Sequence, residues 1–204
     1  MKLARRSVAI GALVTVLGIG VLWQGTDGFT AFTAETARRE ALLRAPRSLP
    51  VVVLEDQDGR IFDLQDYQGR LLAVEFIYTR CSAVCSTLGM AFKQIRDHVP
   101  QQALGRDFAL LSISVDTEAD TPGRLKAYAD AYGADGKRWR VARVRNTAEL
   151  KPLLDAFGIV VIPDGLGGFE HNAAIHLLGR DGKLALIRDI NEPIPFAEKI
   201  MQWL

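Results

Sequence analysis

The chain has 204 residues, 49% of them hydrophobic, and a formal net charge of +1. That length suits one domain plus an appendage, since single domains commonly run to roughly 100–150 residues, and the apolar fraction is enough for a core. A near-neutral chain without a basic block argues against nucleic acid as a partner, because such binding needs a clustered cationic surface.

The N-terminus stands apart. Lys2, Arg5 and Arg6 precede a run without charge over residues 7–26, whose apolar heart is 8–23. A helix of about 17–25 such residues spans a bilayer, and the basic flank stays in the cytoplasm, sending the rest of the chain across. Residues 1–24 are therefore expected to be a single transmembrane anchor in the inner (cytoplasmic) membrane, with the remainder extracytoplasmic or periplasmic. A cleaved signal peptide is the competing reading. Against it, Phe29, Thr30, Ala31 and Phe32, Thr33, Ala34 put Phe where a cleavage site wants a small residue. Residues 25–47 are polar and read as a linker with room for one short helix; residues 48–204 read as the folded domain.

Within that domain, 51–54 is a short strand candidate, Asp58 and Gly59 mark a hairpin turn, and 61–64 follows with partial alternation. Residues 71–78 (LLAVEFIY) are apolar on both faces, as a central parallel strand requires. After Cys81 the period changes: Val84, Leu88, Phe92 and Ile95 recur at helical spacing, predicting a helix over 82–98. Residues 108–115 (FALLSISV) are a second central strand; Thr121 then Pro122 start a helix as cap and first-turn residue. A short strand at 139–144, a helix around 150–157 stopped by Gly158, a strand pair at 173–178 and 184–187 turning at Asp181 and Gly182, and a closing helix over 193–204 complete the pattern. Strands alternating with helices imply an α/β domain whose sheet is largely parallel, with an antiparallel edge.

The only two cysteines, Cys81 and Cys85, lie four apart between a buried strand and a helix. Residues i and i+4 share a helix face, so both sulfurs can converge. The helix N-terminus and Arg80 both favour thiolate, the form that binds metals and attacks disulfides. A stapling disulfide is the bland alternative, though so short a loop gains little stability. Two unrelated core cysteines are a second, made less apt by the strand-to-helix placement. Of the three histidines, His98 near the end of the cysteine helix reads as a dipole complement and His176, inside a strand, as packing. His171 follows the glycine-rich 165–168 and reads as a loop residue able to approach a metal. Histidine is the commonest metal ligand and also a frequent surface residue, so the residues alone leave His171 open.

The run Phe76, Ile77, Tyr78, Thr79, Arg80, Cys81, with Cys85 four further on, resembles the Sco/SenC family of copper proteins. Residues 112–116 (SISVD) with Asp120, Thr121 and Pro122 resemble that family's strand-and-turn motif, and Glu170 and His171 with 173–175 and 179–183 resemble its histidine segment. The resemblance covers roughly 48–204. It implies a thioredoxin-like fold, a central mixed sheet flanked by helices behind the N-terminal transmembrane helix. It implies a copper site of Cys81, Cys85 and His171, with Asp116 as an acidic residue beside it. It also implies a partner, the copper-receiving subunit of a respiratory terminal oxidase, whose copper centre the protein helps to assemble as a metallochaperone. Departures from the family pattern are Ser82, Ala83 and Ser86, where Pro, an acidic residue and Pro are frequent, and Asn172, where Ser or Thr follows the histidine.

Two thiolates and an imidazole suit copper as Cu(I) or Cu(II), and an incomplete site suits transfer. The competing activity is thiol–disulfide oxidoreduction by Cys81 and Cys85, reducing cysteines of an oxidase subunit or another extracytoplasmic protein. His171 separates the two, because dithiol exchange does not need it. A peroxidase needs one singled-out reactive thiol, which nothing in the sequence marks.

Overall fold

The computed structural model describes residues 2–26, 28, 33–45, 49–80, 84–165 and 167–204, without the side chains of residues 2–9, 34, 84 and 85. The chain divides into two compact units, Met1–Arg44 and Ala45–Leu204. In the first, α1 (Lys2–Gly25) runs for 24 residues, and its large apolar side chains from Ile10 to Trp23 are exposed. Over the described residues alone, no helix is long and apolar enough to cross a membrane. The helix α2 (Ala34–Arg44) occupies the expected linker. Glu35 in its first turn pairs with Arg38 and, at 2.7 Å, with Arg39, while Arg44 lies at the C-terminal end where a cation suits the helix dipole.

The second unit is built on a seven-stranded sheet of order β2-β1-β5-β4-β3-β8-β9. These strands are β1 (Leu54–Asp56), β2 (Ile61–Phe62), β3 (Leu71–Ile77), β4 (Phe108–Ser114), β5 (Trp139–Val144), β8 (Ile175–Leu178) and β9 (Leu184–Arg188). β3, β4 and β5 pair in parallel, and β1, β2, β8 and β9 join antiparallel. The sheet is thus mixed, its parallel centre flanked by antiparallel edges. Every residue of β3 and β4 is buried, the condition that made their sequences apolar on both faces.

Helices supply that cover. α3 (Val84–His98) sets Phe92 against Trp139, ring centroids 5.7 Å apart, on the face that carries Glu75 and Ser112. α5 (Thr147–Phe157) covers the other face, where Phe157 meets Phe76 at 5.1 Å and His176 at 5.3 Å. α4 (Pro122–Tyr132) and α6 (Pro193–Met201) both touch α3. Gly133 and Gly158 end α4 and α5 in the left-handed conformation that glycine adopts freely.

Several boundaries differ from the sequence reading. The first strand is 54–56 rather than 51–54 because Val51 and Val53 are exposed ahead of the ladder. The second strand stops at Phe62, since Asp63 caps a 3-10 turn over Leu64–Tyr67. β8 begins at Ile175 rather than 173, and α6 ends at Met201. Thr121 takes the N-cap position of α4 but makes no capping bond through its hydroxyl. The largest correction concerns His171. It does not sit in a loop. It ends β7 (Phe169–His171), which pairs antiparallel with β6 (Val161–Pro163) in a separate two-stranded ribbon, His171 opposite Val161.

Candidate metal centre

The C-terminal end of β3 carries the chain toward the cysteines. Its exit is fixed by Asp120, a fully buried carboxylate. Asp120 accepts the Thr79 backbone N–H at 2.9 Å, the Thr79 hydroxyl at 2.5 Å and the Ser114 hydroxyl at 2.6 Å. Three donors on one carboxylate offset the cost of burying it, and they hold the segment before Cys81 against the end of β4. The Ser114 hydroxyl also accepts the Asp116 N–H at 3.0 Å.

Arg80 follows. Its guanidinium donates to Asp116 at 2.6 Å, and that bond, with the carboxylate's charge, pushes the group further above its ordinary value. Asp116 is nearly buried, so it fixes a cationic side chain one residue before Cys81. Asp116 therefore reaches the cysteine segment through Arg80. Cys81, Ser82 and Ala83 lie outside the described residues; Cys85 falls in the first turn of α3, and its side chain is not described. The strand-to-helix placement read from the sequence thus holds for the backbone on both sides of the pair.

The ribbon brings His171 to the same end of the sheet. Tyr78, three residues before Cys81, uses its hydroxyl twice: it donates to the Phe169 carbonyl at 2.9 Å and accepts the Phe169 N–H at 3.3 Å. Its ring lies edge-on to Phe169 at 5.6 Å and to His171 at 6.5 Å. At the base of the ribbon, the Asn172 side chain accepts the Val160 N–H at 2.6 Å and donates to the Gly158 carbonyl at 3.2 Å. The residue that departs from the family pattern thus anchors the strand that carries the histidine.

The His171 ring is unusual in its hydrogen bonding. Both ring nitrogens are buried, and neither makes a hydrogen bond of good geometry among the described residues. Burial pushes its pKa down, opposed by a contact with the Asn172 backbone that falls short of good hydrogen-bond geometry. A buried, unsatisfied polar group costs about 1–3 kcal/mol, so a pair of them on one ring calls for a partner. A neutral imidazole is also the form that ligates metals. The other histidines are elsewhere. His98 is exposed in the last turn of α3, fifteen residues long and so roughly 22 Å from end to end. His176 is buried between Phe76 and Phe157. Among the described residues no group of three or more His, Cys, Asp or Glu side chains is placed to hold a metal.

Tyr78 and Asp120 both fall in segments that the sequence marks out, but their roles do not show there. The Asp120, Thr121, Pro122 run was visible as a motif, but nothing in it says that its carboxylate accepts from Thr79, 41 residues earlier.

A parallel-centred sheet covered by helices on both faces, with the cysteine pair in sequence where a central strand gives way to a helix, defines a thioredoxin-like α/β protein. The particular family follows from comparison with known proteins. The chain belongs to the SCO1/SenC family, whose model matches residues 51–204. It is 27% identical to the SCO1 protein homolog of Bacillus subtilis over 139 residues, 67% of this chain and 70% of that protein. Bradyrhizobium japonicum ScoI, solved with copper bound, superposes with a TM-score of 0.67 at 23% identity, covering 77% of this chain and 100% of that one. BsSco, described as a member of the Sco family of cytochrome c oxidase assembly proteins with a disulfide switch, gives 0.65 at 23% identity over 78% and 92%.

Proposed function

We propose that this protein is a copper chaperone that binds copper through Cys81, Cys85 and His171 and passes it to an oxidase subunit on the same side of the membrane. The observation that carries the reading is the His171 ring, half-buried beside Tyr78 with both nitrogens shielded from solvent and without a well-formed hydrogen bond among the described residues. Membership of the SCO1/SenC family supports it, as does copper in a relative of the same fold. The residues fit the metal: two soft sulfurs suit Cu(I), and an imidazole helps to accommodate Cu(II). Copper here is cargo. Three ligands leave room for an acceptor to supply one before the donor lets go.

The protein's own residues prepare that site. Arg80 and the start of α3 favour thiolates, Asp120 and Asp116 hold the approach to Cys81, and Tyr78 and Asn172 hold His171. α1 is proposed as a single-pass anchor with the domain extracytoplasmic.

The test is copper affinity of the purified reduced chain. His171→Ala should weaken binding by at least the roughly tenfold to hundredfold that loss of a residue merely supporting a ligand costs, and Cys81→Ser with Cys85→Ser should abolish it. An affinity unchanged by His171→Ala would refute the site. Thiol–disulfide exchange at the same cysteines does not need His171, so a variant that kept full activity toward oxidase maturation would favour that chemistry instead.

A further inference from the structure

Beside the cysteine segment lies an open groove of about 450 Å³ between the start of α3 and one side of α4. Thr79 and Arg80 line it from before the cysteines and Ser86 from after them. An occupant of this groove therefore touches both ends of the cysteine segment. The α4 wall is a single stripe, Arg124, Ala127 and Ala131, at the three-to-four-residue spacing of one helix face.

The charge of the lining is one-sided. It contains two guanidinium groups and no carboxylate. Arg80 is paired with Asp116, whereas Arg124 is exposed and no described residue forms a hydrogen bond or ion pair with it. The positive end of the α3 dipole adds to the same field. Beside the hydroxyls of Thr79 and Ser86, the α4 wall offers apolar surface: the two alanine methyl groups, and the rings of Tyr128 and Tyr132 packed 4.6 Å apart. Gly89 on α3 lets those rings approach, since a Cβ there would lie 2.7 Å from the Tyr128 hydroxyl. A small inorganic anion would use the arginines and leave this apolar stripe idle. From Arg124 to Ala131 the stripe is roughly 10 Å long at 1.5 Å per residue, the reach of about three residues of extended chain.

We infer that this groove docks a short, extended, acidic segment of the protein that receives the copper, with Arg124 taking a carboxylate of that segment. The inference rests on the copper-delivery reading for why a partner approaches the cysteines, but the chemistry of the groove is testable apart from it. A charged docking surface next to the transfer site raises the encounter rate and sets orientation, and its contribution fades with salt.

The test uses the full chain in detergent micelles and a labelled peptide of about six residues, the reach of the groove plus flanks, alternating Glu with Gly. Its Gln counterpart and inorganic phosphate are the comparison probes. Anisotropy should report binding of the Glu peptide alone, weakened by added salt. Arg124→Glu should weaken it by about tenfold or more, since it replaces an attractive charge by a repulsive one, and Arg124→Gln should weaken it less. Arg188→Glu, on an exposed residue of β9, should leave it within about twofold, the usual effect of a remote surface charge. Copper bound per chain should be the same in Arg124→Glu as in the parent. Equal binding of Glu and Gln peptides, indifference to Arg124→Glu, or displacement by equimolar phosphate as effective as by unlabelled peptide would each overturn the proposal. A chain that takes up no copper yet binds the Glu peptide through Arg124 would uphold the groove and sink the copper reading.

Discussion

Glu75 sits in the middle of β3 with no exposed surface. Its Oε1 is 2.5 Å from the Ser112 hydroxyl, which also accepts the Trp139 indole N–H at 2.9 Å, while Oε2 has no partner among the described residues. Burial pushes its pKa from the ordinary 4.5 up to about 8, and the Ser112 bond only partly opposes this. Below 4.5 both the folded and the unfolded chain hold the proton. Between 4.5 and 8 the unfolded chain releases it and the folded chain keeps it. Folding stability from this group therefore falls as pH rises through that window, by at most ~1.4 kcal/mol per pH unit, and levels off above it. Glu75→Gln removes the titration and keeps the shape. Its denaturation midpoint, relative to the parent, should rise steadily from pH 5 toward pH 8 and then plateau; a difference independent of pH would show that Glu75 is ionised in the fold. One acidic letter in LLAVEFIY does not disturb a strand assignment, and nothing in the sequence tells which helix will bury it. At this scale Cys81 and Cys85 stand out in the sequence because there are no other cysteines, and His171, which the residues alone leave open, is picked out by the family resemblance, whereas Glu75, Tyr78 and Asp120 act through partners that only the folded chain supplies.

The β6–β7 ribbon has three-residue strands whose side chains are half-buried or exposed. It has no buried face of its own. What holds it is Tyr78 above and Asn172 below. Tyr78→Phe deletes both hydroxyl bonds while sparing the ring, and should cost about 1 kcal/mol. Amide exchange at Phe169 should quicken, and copper affinity should fall by less than in His171→Ala, with the stoichiometry kept. Copper affinity and Phe169 exchange both unchanged would mean that the ribbon is positioned without Tyr78. The same physics explains which elements the sequence disclosed. β3, β4 and α3 carry apolar residues at the strand or helix period because they bury them. The ribbon buries almost nothing, so its sequence carries no period, and the glycine-rich stretch between its strands reads as a loop. Gly165 and Gly167 take positive φ of 75° and 87° in the connection, the conformation that glycine permits. The true loop is thus the ribbon's tip, and the histidine sits at its base beside the sheet.

The two units of the chain put different demands on their surroundings. The domain over Ala45–Leu204 buries most of its large apolar residues within itself, with scattered exceptions such as Val51 and Ile162. In α1, Ile10, Leu13, Val14, Val16, Leu17, Ile19, Val21, Leu22 and Trp23 are each more than half exposed. A contiguous apolar surface of that kind needs a partner that is not water. The proposed anchor rests on the sequence, in which the uncharged run over 7–26 has the ~20 residues that a bilayer core requires, and Lys2, Arg5 and Arg6 precede it at the end that the positive-inside rule keeps in the cytoplasm. The proposed anchor also serves the proposed transfer. Confining donor and acceptor to one membrane turns a three-dimensional encounter into a search over a surface and raises the effective concentration of each for the other. Deleting residues 2–25 and supplying a cleavable export signal separates the two roles. The exported domain should leave the membrane fraction, fold, and bind copper with unchanged affinity, because the proposed ligands all lie in the second unit. Oxidase maturation should fall at native expression and recover as the soluble domain is overproduced, since excess protein restores the lost effective concentration. Full maturation at native expression would remove tethering from the mechanism, and a full-length chain that fractionates away from membranes would remove the anchor.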